Sequence, residues 1–256
     1  MTGRSRARDR SRPSGGAVAP SLLDTLLALG PCELCLLATA DQIVTGTGVS
    51  QWTDQSGHAR HATQATGALQ PAYTAIAGDV GYVQGNGSQY LTISPTGLAF
   101  FHSGTGLTLL VVLDQGGTVD NYLLGQQVVT GVNKGFSLSR RPTPNLRVNA
   151  GNGGTTTLLT VAPIGADGSW HKVAIRYATA SSPQLDVRSD GASATTGSEI
   201  GTPSLTDAVP LFGVCAGGGG AYPTTVKFRA IVAYSSRLDD TTVAQIEAAF
   251  TSAWGV

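Results

Sequence analysis

Short apolar stretches separated by turn-forming residues run through the sequence from Leu34 onward, and this spacing restricts the fold more than any other feature. The stretches are four to eight residues long and are divided by Gly, Asn, Asp and Pro, which is typical of β-sandwiches and jelly rolls. Strand signals do not alternate with helix signals, so a parallel α/β sheet is not expected. We predict strands at 35–40, 81–83, 90–93, 107–113, 121–126, 135–139, 146–149, 158–161, 170–177, 184–189, 209–214 and 226–234.

Two of these stretches indicate how the sheets pack. Segment 107–113 is apolar on both faces, which predicts a central strand covered on each side. Segment 170–178 alternates instead: His171, Val173, Ile175 and Tyr177 share one face that suits a core, and the even-numbered residues share the other. Two sheets packed face to face would account for both patterns.

Helices are predicted at the two ends of this region. Ser21 is suited to cap a short helix that ends at Gly30-Pro31. Asp239 or Asp240 is suited to cap a second helix, because apolar residues then recur at helical spacing and should cover an edge or one end of the sandwich. These residues are Val243, Ile246, Ala249 and Phe250.

The first residues form a basic segment. Residues 1–20 are rich in Arg, Ser, Pro and Gly, a composition that buries too little apolar surface to fold alone. The net charge of the chain is zero, but the first fourteen residues carry about +4, because Asp9 opposes five arginines: Arg4, Arg6, Arg8, Arg10 and Arg12. Asp24 interrupts the apolar run that follows, so we interpret residues 1–33 as an uncleaved arm rather than a secretory signal.

The lengths of the apolar runs and the number of cysteines argue against a membrane span and against a zinc site. No run of 18 apolar residues is present, so no membrane span is predicted. Cys32 and Cys35 form a Cys-x-x-Cys motif without a second pair, and with Cys215 they make an odd number. We therefore expect buried small side chains rather than a zinc site.

The segment 49–64, VSQWTDQSGHARHATQ, is similar to a motif of the LamG-like or concanavalin A-like lectin/glucanase superfamily, in the branch found in bacterial surface proteins and phage structural proteins. The matching residues are Val49, Trp52, Asp54, Ser56, Gly57, His61, Ala62, Thr63, Gln64, Gln70 and Pro71. A Gly-x-x-Gln-Tyr-Leu element follows, with Gln89 and Tyr90, and the segment 229–250 resembles the closing strand, turn and helix. The opening strand matches imperfectly, with Cys35 where Trp is usual and Leu37 where Asp is usual. The resemblance covers residues 34–256 and implies a concanavalin A-like jelly-roll sandwich.

Within this motif we expect structural roles. Trp52 should anchor the core, Asp54 should accept backbone N–H groups in an Asx-turn, and Gly57 should supply a positive φ. A metal site formed by His58 and His61 with Asp54 is the alternative, although two His and one carboxylate in a loop are a weak pattern.

Catalysis is not predicted. A glycoside hydrolase needs two carboxylates that flank the scissile bond, and the three Glu residues (33, 199 and 247) are scattered. Asp186 and Asp190 could be considered as a pair, but we interpret them as solvated acids on one strand face or at a turn. Phosphate-binding and dinucleotide-binding motifs are missing from the sequence, so no cofactor is expected, and no calcium site is placed.

Two functions remain, which are assembly and glycan binding. The resemblance and the arm favour a non-enzymatic phage virion structural protein, a capsid decoration or tail component on the virion surface, homo-oligomeric and attached to other virion proteins through its arm. The arm residues proposed for this are the five arginines together with Leu22, Leu23, Leu26 and Leu27. A solvated tail is the alternative, and nucleic acid is a less favoured partner.

The alternative function is a carbohydrate-binding module of a bacterial surface or secreted protein. Loop tyrosines could stack on a host-surface glycan in either setting, and the candidates are Tyr73, Tyr82 and Tyr222.

Overall fold

The computed structural model describes most of the chain from Pro20 onward. The described residues are 20–76, 79–94, 99–102, 105–114, 116, 121–126, 134–140, 145–152, 156–160, 168–192, 195–197, 211–217, 220 and 223–256. The basic segment that precedes Pro20, with its five arginines, therefore lies outside the described residues, as does Tyr222.

Two antiparallel sheets pack face to face, as predicted. Sheet A has eight described strands: β1 (Cys32–Leu37), β5 (Ala72–Ile76), β6 (Asp79–Gln84), β8 (Leu107–Asp114), β13 (His171–Tyr177), β14 (Leu185–Ser189), β15 (Thr195–Gly197) and β17 (Lys227–Tyr234). Sheet B has nine: β2 (Ile43–Thr45), β3 (Val49–Trp52), β4 (Ala62–Thr63), β7 (Leu91–Ile93), β9 (Asn121–Gly125), β10 (Lys134–Arg140), β11 (Leu146–Asn152), β12 (Thr156–Thr160) and β16 (Phe212–Val214).

Strand order places the longest apolar strands at the centre of sheet A. The order there is β15-β14-β13-β8-β17-β6-β5, with β1 also paired to β17. In sheet B it is β12-β11-β10-β9-β16-β7-β4-β3-β2. Each predicted strand overlaps one of these, whereas β2, β3, β4, β5 and β15 were not predicted.

Strand β8 confirms the prediction of a strand covered on both faces. All eight of its residues are buried. Leu109 and Val111 point into the core between the sheets, and Leu110 and Val112 point to the opposite side, where the helices lie. The same alternation on β13 turns its odd-numbered apolar residues toward the inter-sheet core, also as predicted.

Two helices close the outer face of sheet A. Helix α1 (Leu22–Ala28) is capped by Ser21, as predicted. Helix α2 (Asp240–Trp254) is capped by Asp239 and ends at Gly255, whose φ is +67°. The expectation that α2 covers an edge or an end is wrong, because its apolar stripe of Val243, Ile246 and Phe250 packs on the broad outer surface of β8, β13 and β17. That surface is itself apolar, so it has to be buried against another secondary-structure element.

The three cysteines contribute to the core. Cys32, Cys35 and Cys215 are buried and unpaired, which confirms the prediction. Burial raises the pKa of the Cys215 thiol to about 12, so this side chain is a small apolar group rather than a reactive thiol. None of the helices within the described residues is long and apolar enough to cross a membrane.

Candidate functional site

The Asp54 carboxylate organises the 49–64 segment. Its Oδ1 atom accepts hydrogen bonds from the backbone N–H groups of Cys35 (2.9 Å) and Ser56 (3.0 Å). Its Oδ2 atom accepts from the Ser56 hydroxyl (2.8 Å) and from the backbone N–H of Arg60 (3.0 Å). The bond from the Ser56 N–H is the predicted Asx-turn, and the bond from Cys35 joins this loop to sheet A.

Trp52 and Gly57 also have the predicted structural roles. The Trp52 side chain is fully buried between the sheets, and its indole Nε1 donates to the Leu37 carbonyl at 2.9 Å. Gly57 has a φ of +89°, a backbone angle that residues other than glycine rarely adopt. The segment is therefore a packing and turn element.

The two histidines of this segment do not converge. His61 accepts a hydrogen bond from the Asp54 N–H through Nδ1, whereas the Nε2 of His58 lies 3.6 Å from a Glu33 oxygen. Over the part of the chain that the structure describes, no group of three or more His, Cys, Asp or Glu side chains could hold a metal ion. The weak pattern of two His and one Asp thus does not form a ligand set.

Glu33, which was predicted to belong to the arm, forms contacts with the sandwich. It forms an ion pair of 2.6 Å with Arg60 and accepts a hydrogen bond from the Ser235 hydroxyl at 2.9 Å. Burial acts to raise the pKa of this carboxyl, but the contacts with Arg60, Ser235 and His58 outweigh it, so the pKa is lowered. The start of β1, the 49–64 loop and the end of β17 are held together at this point.

Gln89 and Tyr90 of the second family element are half-buried. The Tyr90 N–H donates to the Leu69 carbonyl at 3.0 Å, and the Tyr90 ring lies against Gly220, where a Cβ atom would fall 2.3 Å from a ring carbon. The Tyr90 backbone and ring therefore pack against other parts of the same chain.

The structure does not bring together Tyr73 and Tyr82, the two candidate sugar-stacking tyrosines that it describes. Tyr73 faces the inter-sheet core, where its hydroxyl donates to the Ala38 carbonyl at 3.3 Å. Tyr82, on the neighbouring strand, points to the other face of sheet A and packs on Trp170, with ring centroids 5.7 Å apart. Tyr73 and Tyr82 thus cannot form one platform.

The arm leucines lie mostly within the fold of this chain. Leu26 is fully buried, and Leu22 and Leu23 pack against the same cluster beneath the helices. The Tyr234 hydroxyl donates to the Leu26 carbonyl at 2.9 Å, which fixes α1 to sheet A. Leu27 is the exposed member of the four, at 37%.

An open groove of about 860 Å³ lies where the first half of α2 passes over β13 and β14. Two guanidinium groups point into it from the strands, and small or polar side chains line its other sides. The lining residues are Arg176, Arg188, Gly191, Ala192, Asp240, Thr241, Ala244, Gln245 and Ala248. The sequence does not predict this groove, although the alternation in β13 places Arg176 on the face opposite the core.

A buried ion-pair network forms the floor of the groove. Asp186 is 2% exposed and is held by Arg176 at 2.8 Å and by Arg237. The interpretation of Asp186 as a solvated acid is therefore wrong. It lies on the outer face of β14 beneath the residues that lead into α2, where the arginines compensate its charge.

Asp190 has a different set of partners. Its carboxylate contacts the His171 ring at 2.8 Å and accepts a hydrogen bond from the Lys172 N–H at 2.8 Å. Burial acts to raise its pKa, but these two contacts outweigh that effect and lower it. Asp186 and Asp190 are bound to different groups, so each of them has a structural role.

Arg188 is the group in the groove with unused hydrogen-bonding capacity. Its Nη2 donates to Glu247 Oε2 at 3.0 Å, whereas its Nη1 lies 3.7 Å from Asp240 Oδ1, beyond hydrogen-bonding distance. Its Nε is buried and has no hydrogen-bond partner within the described structure. Burial raises the pKa of Glu247 above its ordinary value, although Arg188 partly offsets this.

Comparison with known proteins identifies the fold. No protein-family model and no curated protein matches the sequence. Among solved structures, a sialidase from Trypanosoma rangeli in complex with sialic acid is similar, with a TM-score of 0.58 at 16% identity over 91% of this chain and 34% of that one. The receptor-binding domain of a botulinum neurotoxin C/D mosaic serotype gives a TM-score of 0.61 at 10% identity over 85% of this chain and 51% of that one. The binding domain of botulinum neurotoxin DC in complex with SialylT gives 0.57 at 9%, over 90% and 52%.

These matches show the concanavalin A-like fold, a two-sheet antiparallel β-sandwich, and this chain adds short N-terminal and C-terminal helices, as predicted. The chain spans about a third to a half of the structures it resembles. The likeness is one of fold.

Proposed function

Because the chain has the concanavalin A-like fold, we propose that it is a non-enzymatic, lectin-like module that binds a carbohydrate in the groove between α2 and β14. One observation carries this proposal: the groove is open to solvent and contains an arginine, Arg188, whose Nη1 atom lies 3.7 Å from the Asp240 carboxylate, beyond hydrogen-bonding distance. Two of the structures similar to it were solved with sialic acid or SialylT bound.

The groove has the size and chemistry that a sugar requires. Its volume of about 860 Å³ lies within the ordinary range for small-ligand sites. Arg188 supplies donors, while Thr241 and Gln245 offer both donors and acceptors to hydroxyl groups. Gly191 and the alanines along α2 leave room for a ring.

Glycan-array screening followed by ligand-detected NMR tests this proposal. Ala244→Trp should fill the groove and abolish binding, because Ala244 is an exposed lining residue. Ala253→Trp is the matched control, since Ala253 is exposed on the last turn of α2 outside the groove. Failure to bind any glycan, or equal binding by the parent and the Ala244→Trp protein, would refute the proposed function.

A second candidate function is assembly into a phage virion, as a homo-oligomeric capsid decoration or tail component on the particle surface. The basic segment supports it: five arginines against one acid within fourteen residues suit an extended arm that docks on a neighbouring virion protein. Under the first proposal the same module could be carried on a virion or, as the alternative location, on a bacterial surface.

Removal of residues 1–19 tests the assembly role. This boundary spares α1, whose Leu26 belongs to the chain's own core. The shortened protein should keep the parent's unfolding midpoint but no longer sediment with capsid or tail proteins on a density gradient. Unchanged co-sedimentation, or a parent protein found by mass spectrometry only in soluble or envelope fractions, would contradict the anchor role.

A further inference from the structure

We propose that the ligand of this groove is an acidic sugar, and that its carboxylate replaces the side chain of Asp240 between Arg176 and Arg188. This inference rests on the proposed glycan-binding function and specifies the ligand class at the same site. Asp240 then acts as an internal competitor that occupies the anion position when no ligand is bound.

Asp240 itself demonstrates that a carboxylate fits at this position. Its Oδ1 atom lies 2.6 Å from Arg176 Nη2 and 3.7 Å from Arg188 Nη1. Its side chain is 78% exposed on the first turn of α2, so it can rotate into solvent and be hydrated there. The Arg176 side chain is only 9% exposed, so it stays in place and needs an anionic partner. A ligand carboxylate can supply that partner when Asp240 is hydrated in solvent.

The two arginines keep their positions without Asp240. Arg176 is held from below by Asp186 at 2.8 Å and by the Leu238 carbonyl at 3.1 Å. Arg188 is held by Glu247 at 3.0 Å, and its side chain is only 13% exposed. A site whose donors are fixed before binding loses less conformational entropy when the ligand arrives.

The charge of the cluster favours an anion once Asp240 has moved away. Three arginines (176, 188 and 237) then have two acids in direct contact, Asp186 and Glu247, while the exposed Asp239 at the N-cap also faces Arg176. A ligand carboxylate would therefore take over the contact with Arg176 that Asp240 gives up. The Nη1 atom of Arg188 lies 3.7 Å from Asp240 Oδ1, beyond hydrogen-bonding distance, so it is available to a ligand, whereas Nε is buried and does not reach the groove. A ligand carboxylate at the Asp240 position can accept charge-assisted hydrogen bonds from Arg176 Nη2 and Arg188 Nη1 together, and these are stronger than the bonds that a neutral hydroxyl would make there.

Matched sugars test the inference. Glucuronate and glucose differ by one carboxylate, as do galacturonate and galactose, and N-acetylneuraminate is a third acidic probe. We expect each acid to bind at least about tenfold more tightly than its neutral partner, since charge-assisted hydrogen bonds are about twice as strong as neutral ones. Binding would be measured by chemical-shift titration of the whole chain.

Two substitutions separate displacement from simple attraction. Asp240→Asn should increase affinity for the acidic sugars by about threefold or more, because it removes the competing charge while keeping the shape of the side chain. Arg188→Gln should lower it by about tenfold or more, with an unfolding curve run alongside to show that the variant is folded. Asp41→Asn, on an exposed turn elsewhere, is the control and should change nothing.

The outcomes are distinguishable. Equal affinities for the acidic and neutral members of each pair, with binding still lost in Ala244→Trp, would overturn the acidic-ligand inference and leave the glycan-binding function intact. Weaker acid binding by Asp240→Asn would overturn the displacement mechanism. No binding of any probe or arrayed glycan would overturn both proposals.

Discussion

Replacement of Asp54 by Asn is the sharpest test of the structural role assigned to the 49–64 segment. The side chain is 6% exposed and accepts four hydrogen bonds, two at each carboxylate oxygen. Asparagine has almost the same shape, but one of its terminal atoms is an N–H₂ donor. With the amide nitrogen at the Oδ1 position, two backbone N–H donors would face it. At the Oδ2 position only the Arg60 backbone N–H would face it, because the Ser56 hydroxyl can turn to donate to the Glu33 carbonyl at 3.1 Å and accept from the amide.

The magnitude follows from the number of bonds that are lost. Hydrogen bonds to a charged group contribute about 1.5–3 kcal/mol each, and one of them disappears in the better of the two amide orientations. We therefore expect the free energy of unfolding to fall by about 1.5–3 kcal/mol. A protein of this size would then lose roughly 3–12 °C in Tm, at about 2–4 °C per kcal/mol.

Urea unfolding followed by circular dichroism gives the required free energies, provided that the transition is two-state. Asp41→Asn is the matched control, because it makes the same chemical change at an exposed position. An Asp54→Asn protein that unfolds within about 1 kcal/mol of the parent would refute the role of Asp54 as the organising acceptor, since even one lost charged hydrogen bond would cost more.

Two further predictions concern the same region. Trp52→Ala should lower the free energy of unfolding by about 3–5 kcal/mol, because it empties a fully buried site and leaves the Leu37 carbonyl without its indole donor; a variant that melts like the parent would contradict this. Glu33→Gln should destabilise the protein at pH 7 by about 1–3 kcal/mol. Because the pKa of Glu33 is lowered in the folded state, its contribution is complete above the ordinary value of 4.5 and is lost as the pH falls through the lowered pKa. The difference between the parent and Glu33→Gln should therefore shrink on acidification in urea titrations, and a constant difference would contradict it.

The fold was predictable because its longer strands carry unambiguous patterns. β8 is apolar on both faces, and β13 alternates, so each reports its own environment. The shorter strands gave no such pattern: β4 has two residues and β2 has three, too few for a period of two to be recognised. They become strands because their neighbours in sheet B supply the hydrogen bonds, which is a tertiary effect that no local window contains.

The site was less predictable than the fold, since it depends on pairs that are distant in sequence. Asp186 looked solvated because LDVRSD is polar at alternate positions. Its partner Arg237 lies 51 residues away, and only the path of the chain over sheet A brings the two together. Asp54 was correctly interpreted because three of its four hydrogen bonds come from Ser56 and Arg60, which are close to it in sequence. Trp52 was correctly interpreted because a large apolar side chain on a strand of a sandwich favours the core.

The position of α2 decides where this sandwich can bind a ligand. The two helices bury the central outer face of sheet A, so that Leu110, Val112 and Val232 are unavailable to a partner. Toward β14 the strands carry Arg176 and Arg188 instead of apolar residues. The helix residues that line the groove above them are small or polar, which leaves space between helix and sheet; they are Asp240, Thr241, Ala244, Gln245 and Ala248. The groove is therefore a consequence of how the sheet surface changes from apolar to charged beneath a single helix, and its two arginines are positioned by the fold before any ligand arrives.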